Sequence, residues 1–130
     1  MNESGRRSLF RFRGWPVYQL AKSFRKRIRG LAKRLPESER YLLRDQISRA
    51  ADSISLNIAE GSNKLSDIEF SKYLNNSETS LEETVCCLDL ILDDGHITEG
   101  EFEGYVREAE ELGAQLIAFG KKVRKEGTRL

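Results

Sequence analysis

Apolar residues recur every three or four positions in four separate stretches of the chain. That spacing is typical of one face of an α-helix, and no stretch of useful length alternates with the two-residue period of a strand. The four stripes span residues 17–35, 43–58, 70–92 and 102–123. Helices of such length joined by short connections pack as antiparallel neighbours. We therefore predict an all-α protein, an antiparallel up-and-down four-helix bundle in a single domain.

Residues that start and stop helices separate the four stripes. Pro36 ends the first helix, because the residue before a proline leaves the helical region. Gly61 follows the second stripe in the position of a C-cap glycine. Residues 66–69 and 98–101 read Ser-x-x-Glu and Thr-x-x-Glu, the pattern of a capping box that begins a helix. Residues 93–96, Asp-Asp-Gly-His, predict a turn between the third and fourth helices.

The ends of the chain lack this periodicity. Residues 1–14 contain four arginines and two phenylalanines without a helical repeat, and we predict a basic flexible N-terminal tail there. Residues 126–130 are predicted as a C-terminal tail. The bundle is expected to occupy residues 15–125, which suits a chain of 130 residues with one core.

The net charge of +1 conceals a strong asymmetry along the chain. Residues 1–49 carry 14 Lys and Arg against 4 Asp and Glu, whereas residues 50–120 carry 3 against 16. A molecule with oppositely charged faces can steer charged partners toward one side. The alternative is that the two halves neutralise each other across the packed helices.

A row of basic residues on the first helix avoids its apolar stripe. Few acidic residues lie within helical reach on the same helix, so local ion pairs do not neutralise the row. Phosphate backbones bind such rows through counterion release. We predict nucleic-acid binding here, with helix packing or subunit pairing as one alternative and a plain solvated surface as another. The predicted nucleic-acid-binding residues are Lys22, Arg25, Lys26, Arg29, Lys33 and Arg34.

Three polar residues of the second helix lie beside its apolar row. Ser53, Asn57 and Glu60 could suggest catalysis, but a nucleophile needs a nearby base, and no histidine lies in this segment. Structural hydrogen bonding is the interpretation we favour. Glu60 lies near a helix C-terminus, where a negative charge is unfavourable, so we expect it to pair with Arg49 or with a backbone amide of the following loop.

The remaining composition argues against an enzyme. One histidine, His96, is too few for a di-iron bundle, and the adjacent Cys86 and Cys87 lack partners at zinc spacing. The chain has no phosphate-binding loop and no dinucleotide motif. We predict a non-enzymatic protein with no cofactor and no metal. Without a long apolar run or a signal-like segment, a cytoplasmic location is expected and no membrane partner.

The second and third helices carry a motif that resembles a known family. Residues 49–61 are followed by Ser66-x-x-Glu69-Phe70-x-x-Tyr73-Leu74, and the whole looks like the motif of the 23S rRNA intervening-sequence proteins. That family is related to the accessory protein of diversity-generating retroelements. The residues assigned to this structural motif are Arg49, Ser53, Asn57, Glu60, Gly61, Ser66 and Glu69.

The resemblance extends over about residues 15–125, with two departures. It includes Tyr18-Gln19 and residues 46–49, and residues 94–97 stand where the family has a Leu-Gly-Tyr-Ile turn, so that His96 replaces a tyrosine. Residues 75–80 read Asn-Asn-Ser-Glu-Thr-Ser where the family often has an Ala-Arg-Gly-Ser run.

The resemblance implies a ring of bundles, a homopentamer. For the retroelement members it also implies binding of nucleic acid and of a reverse transcriptase. Leu42 and Leu56, apolar residues off the main stripe, add modest support for assembly. We predict an oligomeric scaffold that binds RNA, DNA or a nucleic-acid-processing protein through a basic surface. The alternative is a purely structural homo-oligomer or protein-interaction module that binds no nucleic acid.

Overall fold

The computed structural model describes residues 9–39 and 43–126, and within these ranges the regular structure is helical, with short turns between the helices and no strand. Four long helices follow one another: α1 (Pro16–Arg34), α2 (Asp45–Ser62), α3 (Asp67–Asp93) and α4 (Glu99–Glu126). Each helix packs against its neighbours along the chain, and α1 also packs against α4. This arrangement is an up-and-down four-helix bundle in one domain, which confirms the predicted fold class.

The apolar stripes meet in one continuous core. Each helix contributes residues with almost no exposed surface, because the three-and-four spacing brings them to one face. Representative fully buried side chains are Ile28 of α1, Ile54 of α2, Leu88 of α3 and Leu116 of α4. Leu56 of α2 instead stays 64% exposed, as its position off the stripe predicts, while Leu42 lies outside the described residues.

The helix ends follow the predicted signals with one exception. Leu35 is the C-cap of α1, directly before Pro36, and Ser66 is the N-cap of α3, where its side chain accepts a hydrogen bond from the Glu69 amide at 3.1 Å. After α3, Gly95 adopts a φ of +79°, and the His96 amide donates to the Ile91 carbonyl. This is a Schellman ending, which needs the left-handed conformation that glycine adopts without strain.

Gly61 is the exception, and its predicted role as a C-cap was wrong. Helix α2 continues to Ser62 with Asn63 as its C-cap, and Gly61 is buried inside the helix with an ordinary φ. A Cβ atom there would come within 2.7 Å of Tyr73 Cβ and 2.9 Å of Phe70 Cδ1. Glycine is required because α2 and α3 approach each other closely at this point.

Small hydroxyl residues of α3 line its contact with α2. Ser77 and Thr84 are fully buried and Ser80 is nearly so. Ser77 Oγ donates a hydrogen bond to the Ile54 carbonyl of α2 at 2.9 Å, and Thr84 bonds back to its own helix. The segment that departs from the family's glycine-containing run therefore still supplies small residues, which allow the two helices to pack closely.

The last residues of the predicted N-terminal tail are folded. Residues Arg11–Gly14 form a short 3-10 helix, and the Phe12 ring packs edge-on against Tyr18 at a centroid distance of 4.9 Å. Aromatic contacts of this kind stabilise the segment, although its sequence lacks a helical periodicity. The boundary of the folded part thus lies before Gly14, and residues 1–8 lie outside the described residues. Of the C-terminal tail predicted at residues 126–130, Glu126 is the last residue of α4 and residues 127–130 lie outside the described residues.

Candidate nucleic-acid interface

All six residues of the predicted basic row lie on α1. Arg25 is half-buried and the other five are exposed, since the row avoids the apolar stripe. The Lys22 ammonium stands over the Tyr18 ring at 5.4 Å from its centroid, a cation–π contact that leaves the positive charge in place.

An acidic residue of α2 neutralises the middle of this row. Arg25 Nε donates to Asp52 Oδ1 at 2.7 Å, and Arg29 donates to both Asp52 oxygens through Nε at 3.0 Å and Nη2 at 2.5 Å. The prediction considered acids on α1 itself, and this partner comes from the neighbouring helix. Helix packing, one of the alternatives, therefore accounts for these two arginines.

Two further arginines of α1 form ion pairs with glutamates of α4. Arg34 Nη2 donates to Glu101 Oε2 at 2.7 Å, and Arg27 pairs with Glu108 at 3.0 Å. Glu101 also completes the capping box of α4 by accepting the Thr98 amide at 3.0 Å. Among the described residues no acid pairs with the three lysines of the row, Lys22, Lys26 and Lys33.

The ion pairs of Asp52 predict a pH dependence of stability. The hydrogen bond from Arg29 holds the pKa of Asp52 below its usual value of 3.8, although partial burial acts in the opposite direction. A carboxyl with a lowered pKa stabilises the fold above its unfolded-state pKa, and this contribution is lost as the pH falls through the folded-state pKa. Wild-type protein should therefore exceed Asp52→Asn in stability at neutral pH.

Urea unfolding of both proteins across pH measures this effect. The difference in free energy of unfolding should stay constant from neutral pH down to about pH 5 and shrink below about pH 4. Comparing the two proteins at each pH removes the contribution of the other carboxyls. A difference that stays unchanged down to the most acidic pH would contradict the role of the Asp52 carboxylate.

At the C-terminal half of the row, α1 and α2 form a cleft of about 670 Å³. Two cations of α1, one of α2 and the N-cap arginine of α2 line it, together with two carboxylates and Ser48. The cationic side chains are Arg29, Lys33, Arg44 and Arg49. The structure thus adds Arg44 and Arg49 to the basic surface. Their spacing in the sequence gave no signal of this, because the cleft exists only where the two helices meet.

Arg49 does not form the ion pair with Glu60 that the sequence analysis considered. It lies 11 residues before Glu60 on one helix, about 16 Å along the axis, which is too far for an ion pair. Arg49 is exposed at the cleft, whereas Glu60 is exposed near the other end of α2. Among the described residues Glu60 has no ion-pair or side-chain hydrogen-bond partner, so the pairing predicted for it was wrong.

The other polar residues of the motif hold helices together. Asn57 Nδ2 donates to both the carbonyl and the hydroxyl oxygen of Ser53 at 2.9 Å. The Ser80 hydroxyl of α3 donates to the same Ser53 oxygen at 2.7 Å. Each member of this network has a partner, and the network links α2 to α3, which is a structural arrangement.

The metal-ligating side chains of the described residues, 9–39 and 43–126, form no metal-binding cluster. Within these ranges no three His, Cys, Asp or Glu side chains come together in a group that could hold a metal ion. Cys86 is exposed and Cys87 is buried, and burial raises the pKa of the Cys87 thiol to about 11. No helix in the described part is both long and apolar enough to cross a membrane.

A comparison with protein families shows to which family the chain is related. The model of the 23S rRNA-intervening sequence protein family matches residues 14–118. The chain belongs to this family. The match covers α1 to α3 and most of α4, and it includes every residue of the predicted motif and of the basic row.

One solved structure extends this relationship to an experimental fold. It is the crystal structure of a protein with unknown function from the S23 ribosomal protein family of Bacteroides thetaiotaomicron VPI-5482. The two chains share 29% sequence identity with a TM-score of 0.75, over 81% of this chain and 98% of the other. A comparison with curated proteins found no match.

Proposed function

We propose that this member of the 23S rRNA-intervening sequence protein family binds nucleic acid through the basic surface of α1 and α2, without enzymatic activity. The observation that carries the proposal is the concentration of exposed cations without acidic partners on these two helices. Lys22, Lys26 and Lys33 of α1 and Arg49 of α2 belong to this set. Exposed positive charge of this kind releases counterions when phosphates bind.

The side of the bundle that α3 forms has the opposite character. Helix α3, diagonal to α1 in the bundle, exposes acidic residues such as Glu82, Glu83 and Asp89. A polyanion is therefore attracted to one side of the molecule and repelled from the other. Binding would be electrostatic positioning on the phosphate backbone, since no base-reading motif is present.

Assembly is the second part of the proposal. A ring of five copies is the arrangement that the family resemblance implies. Exposed apolar side chains such as Leu56 of α2 and Ile117 of α4 support contacts between copies. The alternative function is a structural homo-oligomer or protein-interaction module in which charged faces pair between subunits. A retroelement role with a reverse transcriptase partner stays a prediction from the resemblance.

A salt titration of RNA binding tests the nucleic-acid role. We expect wild-type protein to bind a fluorescently labelled structured RNA with an affinity that falls steeply with salt. The double variant Lys22→Glu/Lys26→Glu should weaken binding more than tenfold. The number of phosphate contacts calculated from the salt dependence should fall by about 2. Both side chains lack acidic partners among the described residues, so the fold should tolerate this change.

Two further variants control the measurement. Lys72→Glu/Lys125→Glu makes the same charge change at exposed sites on α3 and α4, and it should reduce affinity far less. Asp52→Asn releases Arg25 and Arg29, so it should tighten RNA binding even though it lowers stability. Absence of RNA binding by wild type at low salt would reject the nucleic-acid role. Loss of the oligomer in the Lys22 and Lys26 variant, measured by light scattering, would favour the structural alternative.

A further inference from the structure

The cleft between α1 and α2 differs from the rest of the basic surface because its cations come from two helices. Arg29 and Lys33 lie one turn apart on the C-terminal half of α1, and Arg44 and Arg49 lie at and just after the start of α2. Side chains that converge from two elements can surround a bound group, which a single row on one helix cannot do. The cleft volume of about 670 Å³ is within the range of ligand sites.

Two of these cations are available for a ligand. Lys33 and Arg49 are exposed and form no ion pair or side-chain hydrogen bond with any residue in the described ranges. Arg44 meets Glu37 at 3.9 Å, the outer limit of an ion pair, and the Glu37 side chain is 80% exposed. Such a surface contact contributes little to stability, so a stronger anion can replace it.

Arg29 also lines the cleft, but its guanidinium is already paired with Asp52 and is therefore less available to a ligand. The two carboxylates that line the cleft, Glu37 and Asp45, leave it with an excess of positive charge. The Ser48 hydroxyl donates its proton to the Arg44 carbonyl at 2.9 Å and so offers a ligand no donor. Recognition in the cleft therefore depends on the cationic groups.

We propose that this cleft is a phosphate-binding site in which Lys33 and Arg49 make the principal contacts. The guanidinium of Arg49 can present two parallel N–H groups to phosphate oxygens, while Lys33 supplies a compact charge from the opposite helix. The inference rests on the proposed function, in which the phosphate belongs to a nucleic-acid strand. A free phosphate compound has the same chemistry and is the second possible source.

The position of the cleft gives a path for the strand. Lys33 lies 11 residues after Lys22 on α1, about 16 Å along the axis, and the Asp52 ion pairs occupy the surface between them. A strand anchored in the cleft would run along α1 toward Lys26 and Lys22. The cleft and the two lysines then form separate contacts, whose contributions to the salt slope should add.

A pair of matched double variants tests the site. Lys33→Gln/Arg49→Gln removes the two cleft cations, and Lys72→Gln/Arg107→Gln removes one lysine and one arginine from exposed positions on α3 and α4. Both change the net charge equally, and thermal unfolding by circular dichroism should be alike for the two. Each variant and wild type would be titrated with labelled RNA across salt, and separately with inorganic tripolyphosphate by calorimetry.

We expect the cleft variant to lose about tenfold or more in RNA affinity and about 2 contacts in salt slope, while the control stays near wild type. That result supports the site and places it on the strand. If wild type fails to bind RNA but binds tripolyphosphate through Lys33 and Arg49, the site is supported with a free phosphate compound as its ligand, and the nucleic-acid role fails. Equal RNA binding by the two variants, with no cleft-dependent tripolyphosphate binding, would overturn the site even where RNA binding itself stands.

Discussion

Replacing Phe70 with alanine should lower the free energy of unfolding by about 4 kcal/mol, the largest effect expected of a single substitution. Phe70 is almost completely buried on α3 and contacts two other rings. Its ring stacks on Trp15 at a centroid distance of 5.8 Å and meets Phe119 edge-on at 5.9 Å. Removing it leaves a cavity and breaks the ring contacts that join α3 to the start of α1 and to α4.

Urea unfolding measures this loss, and the chain offers a matched control. The midpoint should fall with an unchanged dependence on urea concentration, which indicates a change of stability and not of compactness. Phe10→Ala makes the same chemical change at a ring that is 61% exposed, and it should cost much less than Phe70→Ala. Equal losses for the two variants would contradict the role given to the aromatic cluster.

The second large effect is expected at Gly61, where alanine should destabilise the protein by about 2 kcal/mol. Inside a helix, alanine is normally favoured over glycine by about 1 kcal/mol, so the usual sign is reversed here. The reason is the 2.7 Å approach of the new Cβ to Tyr73 Cβ, an atom that lies next to the backbone and cannot rotate away. The two helices would have to separate slightly.

Gly30→Ala is the control for Gly61→Ala. Gly30 lies within α1 and is exposed, and nothing lies within 4 Å of the position that its Cβ would occupy. This variant should stabilise the protein by about 0.5–1 kcal/mol, since only helix propensity changes. Thermal unfolding should therefore show shifts of opposite sign for the two variants. A stabilising Gly61→Ala would contradict the close approach of α2 and α3.

Under the proposed function, the residues for stability and those for binding lie at different places along α2. Arg49, at its N-terminal side, lines the basic cleft, whereas Ser53 and Asn57 bond to each other and to α3. Variants of Asn57 should therefore act on unfolding, while Arg49 variants should act on phosphate binding.

Helices, caps and core could be predicted from the sequence because they depend on residues close together in the chain. The three-and-four spacing fixed which faces are buried, and Pro36 and Ser66 stand at the predicted helix ends. The error at Gly61 arose because a local signal was interpreted without the neighbouring helix, whereas Arg49 lies 11 residues from Glu60 on the same helix, beyond side-chain reach. A glycine near a helix end can serve as a cap or as a contact point, and only the packing of α3 distinguishes them.

The sequence by itself determined an all-helical bundle with a basic first helix and an acidic second half, since periodicity and charge are properties of the chain. Only the tertiary structure decided which basic residues remain available. Asp52 lies more than 20 residues from Arg25 and Arg29 in the chain but 2.7 and 2.5 Å from them in space, and Lys33 and Arg49 converge on one cleft. Electrostatic partners are set by distance in space, which helix packing creates and local sequence does not record.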